Sequence, residues 1–441
     1  MLKVKLILST IVMSIFLVVS WTYSDTFTVT NLNDSGDGSL RWAIEQANAN
    51  PGPDIIDFIV SGTISPTSGL PWITDDETVI DASSQWLGPW PEGQPGITLD
   101  GTATGVVSGL GISGAYKCHI RGLFITNFGV NGVYIGPGAE SNTIERNIIS
   151  GNDWRGVQIE GSGANDNVVL GNYIGTYVNG TAALGNSGGG VGIEFGAQSN
   201  TIGGTGSGEG NTIAFNNGNG VIVNGIDDPD TDYNKISGNS IHDNADLGIG
   251  LVDDGNDEIT APTITSSVLT DNTLYVEGTG AGANATVEIF EADSFESSEG
   301  MTYLGSLIAD ESGNFSGSID VTGKGLVVGD PVTSTTTHTN NNTSEFSSPT
   351  EIISAGSING TVTDIEGNPI KFAFVIAINA DTKDKYKAFS KLDGYYEISG
   401  LPSARYWVIC IKKGYNPGVK IAKVVAGGST TVDFKLPPKL L

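Results

Sequence analysis

From about Tyr116 to Leu251 the chain repeats itself. Asn142-Thr143-Ile144, Asn147-Ile148-Ile149 and Gly156-Val157-Gln158-Ile159 form one round. Asn167-Val168-Val169, Gly171-Asn172-Tyr173-Ile174 and Gly190-Val191-Gly192-Ile193 form the next. Two further rounds end at Val223 and Leu251. The Gly-Val steps at 132, 156, 190 and 220 lie 24, 34 and 30 residues apart. A period of this size is the signature of a solenoid. Short Ile/Val runs are strands, and Gly and Asn supply turns because both tolerate positive φ. No run here keeps a 3.6-residue period over ten residues, so crossover helices have no sequence to form from. A parallel β-helix follows, its inward Ile, Val and Leu stacking into one core. The recurring Asn then fall at equivalent turns. There they bond from rung to rung, each for about 1 kcal/mol net.

Charge bounds the partners. The chain of 441 residues carries 21 Lys and Arg against 49 Asp and Glu, a formal net charge of -28. That argues against nucleic acid or an anionic membrane as a main partner. The residues after Thr350 hold 12 of the cations and only 8 of the acids. So abrupt a shift marks a domain boundary. Cys118 and Cys410 fall in different expected domains and form no metal-type pair.

Lys3 and Lys5 precede an apolar run from Leu6 to Trp21. The expectation is a secretory signal peptide over 1–24, no membrane insertion of the mature chain, and a secreted or cell-surface protein. Thr26–Thr30 alternates as a strand. Ser39–Asn48 reads as the one clear helix of the mature chain, with Leu40, Ala43, Ile44 and Ala47 on one face. Asp37 or Ser39 is placed to cap it. Strand and helix together suit the N-terminal cap that an open solenoid end requires. Early rungs are expected at 55–60, 78–81 and 97–101. A loop rich in Pro and Trp, with Trp72, Trp86 and Trp90, lies among them.

The run Phe27-Thr-Val-Thr-Asn-Leu-Asn-Asp-Ser-Gly-Asp-Gly-Ser-Leu-Arg-Trp-Ala-Ile-Glu-Gln-Ala-Asn48 resembles the N-terminal motif of bacterial secreted β-helix proteins of the CSLREAI type, with Gly38 where the motif has Cys. Gly171–Asn186 and Asn200-Thr-Ile-Gly-Gly204 are similar to the same group and its pectate-lyase-like repeats. The resemblance implies a right-handed coil and a surface or secreted protein, and no set reaction. From 261 to 350 strictly alternating runs such as Thr273–Gly278 and Ala285–Phe290 imply a β-sandwich, and the segment ending Asn342–Ser347 resembles an Ig-like module. From 351 to 441, Ile358–Val362, Asp393–Pro402 and Tyr406–Ile411 resemble the carboxypeptidase regulatory-like, transthyretin-like domain, with Ser403 in place of the last Gly of its turn. No His-Glu zinc pattern accompanies it. The expected fold class is all-β: a capped right-handed parallel β-helix over 25–260, then two small β-sandwich domains.

Function should sit where the repeat is broken. Lyases need a base and a cation, and hydrolases need paired carboxylates. Glu145, Arg146, Asp153 and Arg155 are the candidate catalytic patch. Glu160 and Glu194 lie beside the Gly-Val strands, and His242, Asp243 and Asp246 form a second patch. Trp154, Trp72, Trp86 and Trp90 are candidate sugar-stacking residues. Asp227, Asp228, Asp230 and Asp232, with Asp253, Asp254 and Asp257, offer hard oxygen ligands on two loops, making calcium the candidate cofactor. The 175–190 insertion reads as a protruding loop. The leading expectation is a structural, adhesive or glycan-binding protein without catalysis, whose partner is an extracellular polysaccharide or surface glycan. The alternative is a polysaccharide lyase or glycoside hydrolase.

Overall fold

The computed structural model describes residues 24–439 apart from 89, 91, 92 and 229, so the expected leader lies outside the described residues but for Ser24. The fold is a parallel β-helix followed by two small β-sandwiches. The β-helix has three parallel sheets of eight, seven and six strands. The first runs from Asp25–Val29 to Lys235–Ser237 and the second from Gly62–Ile64 to Ser240–His242. The third runs from Leu110–Ile112 to Ile249–Val252. Register keeps like residues over like. Ile112, Ile135, Ile159, Ile193, Val223 and Leu251 form one inward column. All six are buried in a single continuous core.

The corners are held by asparagine. At the first, Asn142, Asn167, Asn200, Asn234 and Asn256 stack. Each side-chain oxygen accepts the backbone N–H of the residue one rung earlier, at 2.9–3.0 Å. The first Asn caps the column by accepting from Cys118 N. Asn147, Asn172, Asn211 and Asn239 form a second column. Asn152, Asn186, Asn216 and Asn244 form a third. Each Nδ2 also donates to a carbonyl of the rung before, as Asn186 does to Ile149 O at 3.0 Å. Each column thus gives the buried backbone N–H groups at its corner a partner.

The N-terminal end is closed as the sequence suggests. The helix Leu40–Ala49 buries Leu40, Ala43, Ile44 and Ala47, and the Ser39 hydroxyl caps it by accepting from Trp42 N. The other end is closed by the first sandwich, whose side chains continue the columns. Glu299 accepts both N–H and Nδ2–H of Asn244, and Thr343 Oγ1 accepts Ile236 N. Glu288 accepts Ser237 Oγ and Gly238 N, and Glu345 accepts Leu251 N. Phe290 and Phe346 enter the β-helix core. This sandwich pairs two four-stranded sheets spanning Thr263–Thr270 to Ile353–Ser354, and the last domain does the same from Gly356–Asp364 to Phe434–Leu436.

One local expectation changes. The 175–190 insertion folds back rather than protruding freely: Tyr177 meets Phe124 edge-on at 5.7 Å, and Asn186 takes its place in the third column. Cys118 is buried, with its thiol donating to Asp75 O, and burial pushes that thiol up to about 12.

Candidate functional site

A strand alternates its side chains, so each Gly-Val-x-Ile repeat sends x outward. On the third sheet that row is Gly111, Tyr134, Gln158, Gly192, Ile222 and Gly250. The next outward row brings Glu160, Glu194 and Asn224 into register. Small residues between large ones create the relief. A Cβ on Gly192 would stand 1.9 Å from Arg155 Nη1, so only glycine there lets the guanidinium lie across the strand. A Cβ on Gly111 would press on the Trp72 ring at 3.0 Å, and Trp72 stacks obliquely on Tyr134 at 5.3 Å between centroids.

The result is an open groove of about 350 Å³ with Trp72, Tyr134 and Trp154 as its aromatic surfaces and Gln158 and Glu160 among its polar ones. Trp72 is 50% and Trp154 49% exposed, far more than a packed ring needs to be. Beside Trp154 the side chains lock together. Arg155 lies 5.5 Å from the Trp154 ring centre and is 6% exposed. It donates through Nη1 to Gln158 Oε1 at 2.6 Å and through Nη2 to Glu194 Oε1 at 2.9 Å. Gln158 donates to Glu194 Oε2 at 3.0 Å, and Asn224 to Oε1 at 3.3 Å. Both oxygens of Glu194 are thus occupied. Among the described residues the Glu160 carboxylate takes one bond, from the Tyr134 hydroxyl at 3.0 Å, and is only partly buried. Burial, and then the Glu160 charge, push the Tyr134 phenol up to about 12, so it stays a donor at neutral pH.

The sequence-derived candidates divide between separate places. Trp154, Arg155 and Trp72 meet at this groove, with Asp153 exposed on the adjoining corner and its N–H on Phe128 O. Glu145 and Arg146 do not join them. Glu145 sits on the first sheet with His119 at 3.3 Å and Arg121 at 3.6 Å. Burial lowers the His119 imidazole despite that carboxylate. Arg146 lies at the corner between the first and second sheets, with Trp86 and Trp90. His242 bonds Asp243 at 2.8 Å, away from both groups, and Asp246 lies exposed with its N–H on Gly218 O.

The carboxylates of the two acidic loops divide between solvent and a shared contact. Asp227, Asp230, Asp253 and Asp254 are exposed, and Asp228 accepts from Asp230 N. Asp232 and Asp257, one from each loop, converge on Asn342 Nδ2 of the sandwich. Burial and the Asp257 charge raise the Asp232 carboxyl to about 6. Among the described residues no three or more His, Cys, Asp or Glu are grouped to hold a metal ion. Tyr134 and Gln158 went unnoticed in the sequence; their signal is the x position of the repeat, where small residues elsewhere frame them.

Residues 357–437 match the carboxypeptidase regulatory-like domain family, and the C-terminal domain is of that kind. A viral protein, Structural protein 27 (virus isolate Australia/Victoria), is 36% identical over 86 residues, which take in 20% of this chain and 15% of the viral protein. The chain thus spans under a sixth of that relative. Among solved structures, a pectate lyase aligns at 15% identity over 50% of this chain and 55% of the lyase, with a TM-score of 0.29. The pilus 2b backbone protein of group B streptococcus aligns at 12% over 41% of this chain and 98% of the pilin, at 0.21. Likeness at these scores speaks to no shared reaction. No helix among the described residues is long and apolar enough to cross a membrane.

Proposed function

We propose that this is an extracellular carbohydrate-acting protein, whose third-sheet groove holds a polysaccharide segment and processes it. The observation that carries the reading is the groove itself: two half-exposed Trp and a Tyr set against Gln158 and Glu160. Flat aromatic faces suit the C–H faces of sugar rings, and fixed amides and carboxylates suit their hydroxyls. Processing stands ahead of a purely adhesive or structural role because Glu160 and Glu194 are register partners on adjacent strands. Neighbouring strands lie about 4.8 Å apart, and glycosidases place two carboxyls about 5–9 Å apart. In this reading Glu160, with an oxygen left over, exchanges the proton. Glu194, held by Arg155 and Gln158, faces the developing positive charge on the sugar. Calcium bound at the acidic loops is a separate proposal, and the assay below includes it.

The full chain is incubated with acidic and neutral polysaccharides, with and without calcium, and new chain ends are measured. Cleavage that Glu160→Gln abolishes while binding persists is the expected result. Binding without cleavage would return the protein to the adhesive reading, and no binding at all would end both.

A further inference from the structure

We infer that the corner between the first and second sheets carries a second glycan site, selective for an anionic sugar unit. It is distinct from the third-sheet groove. After Asp81 the chain leaves the first sheet, turns through Ser83–Gln85, closes a bridge between Leu87 and Gln94, and rejoins the stack at Ile97. The turn from Ser83 to Trp86 lies over the corner at Gly122. Trp86 Nε1 donates to Gly122 O at 2.8 Å, and a Cβ on Gly122 would stand 2.4 Å from Ser83 N. Trp86 and Trp90 meet edge-on at 4.8 Å, and Trp90 leans on Tyr173 at 5.2 Å. Between these rings and the corner is a cleft of about 130 Å³ whose other wall includes Arg121 and Arg146. That is well under the roughly 300 Å³ at which pockets begin to enclose a drug-sized ligand, so it suits one ring of a chain rather than a segment.

The two arginines differ. Arg121 is committed to Asp81 at 2.6 Å and Glu145 at 3.6 Å. Arg146 is exposed and makes no ion pair among the described residues. In a chain with 49 acids and 21 cations, such an arginine beside two tryptophans has a recognisable use. The rings take the apolar face of a pyranose. The guanidinium takes a carboxylate or sulfate through two parallel N–H bonds. Asp81 and Glu145 both pair with Arg121, and neither forms an ion pair with Arg146 among the described residues. Uronate and sulfate ester share this chemistry, and separate probes distinguish them.

The test titrates the full chain with oligogalacturonate, a sulfated oligosaccharide and a neutral oligosaccharide of equal length, following tryptophan fluorescence and heat. Arg146 has φ +51°, so Arg146→Asn removes the cation with a residue that tolerates the left-handed region. The expected result is about a tenfold loss of affinity for one anionic oligomer, partial recovery in Arg146→Lys, and no change for the neutral one. Trp90→Ala lowers the same component, whereas Trp154→Ala leaves it, which separates this site from the groove proposed above. An Arg146→Asn protein that binds both anionic oligomers like the parent overturns the inference. So does a parent that binds neither, or one that binds inorganic phosphate or sulfate as tightly as the oligomer.

Discussion

Asn152 and Trp154 stand two residues apart at the same corner. Asn152 is buried, and its amide spends its bonds on Phe128 N, Ile125 O and Asn186. Trp154 is half exposed and touches its own neighbour Arg155. The contrast extends to the regions they belong to. The asparagine corners are uniform because every rung presents the same unmet backbone groups. The outer face of the third sheet has no such demand on it, and there Tyr134, Gln158, Gly192 and Ile222 succeed one another without pattern. Regularity in this chain measures what the stack requires. Departure from it marks the residues free to meet a ligand.

Changes at the corners should therefore cost stability and spare binding, and changes on the face the reverse. The largest effect is expected from Asn186→Ala in the middle of the third column. It removes the acceptor for Asn152 N and Nδ2 and two donated bonds of its own. A loss of about 3 kcal/mol follows from leaving such buried groups unmet. Denaturant unfolding measures it, with glycan affinity per folded molecule unchanged. Next is Glu299→Ala at the sandwich junction. Asn244 keeps its column above but loses its acceptor below, for about 2 kcal/mol. Equal stability of this variant and the parent would show that the sandwich does not close the stack energetically.

On the face, Trp154→Ala should lower glycan affinity about tenfold, worth about 1.4 kcal/mol, with an unchanged unfolding midpoint. A midpoint that falls as it does for Asn186→Ala would erase the distinction. The smallest effect is one of pH. Burial raises the Glu288 and Glu299 carboxyls, and it raises that of Asp232 to about 6. The folded junction therefore holds these protons more tightly than the unfolded chain. Their stabilisation is full below the unfolded carboxylate range and lost as pH rises through about 6. The junction should unfold more readily at pH 7.5 than at pH 5.5. Asp232→Asn should flatten that slope, as followed by thermal unfolding across the interval.

The stack was legible in the sequence for the same reason that it is stable. Asn, Gly and β-branched residues recur because each rung poses one problem, and the helix after Ser39 announced itself by its buried face. The groove was legible only in part. Trp154 and Arg155 stand out as departures from the repeat, and Glu160 and Glu194 as carboxylates beside the Gly-Val strands. Their grouping with Trp72 and Tyr134 depends on which rung passes under which loop, and Trp72 reaches Gly111 from 39 positions away. Proximity in sequence misleads in the other direction: Glu145 and Arg146 read as partners of Asp153 and Arg155, yet Glu145 lies on the first sheet and Arg155 on the third, with Arg146 and Asp153 at two different corners. Glu288, Glu299 and Glu345 lay in a module that alternates like any sandwich, and nothing local marks them as caps for another domain.

In the proposed function the third-sheet face, and not the repeat, meets the glycan. The most direct test is a titration of the full chain and of Trp154→Ala and Asn186→Ala with whichever polysaccharide the parent retains, each protein checked for its folded fraction. Trp154→Ala should form an about tenfold weaker complex at parental stability, and the folded fraction of Asn186→Ala should keep parental affinity. Parental affinity in Trp154→Ala, or a parent that retains no polysaccharide, would remove the third-sheet face as the binding surface.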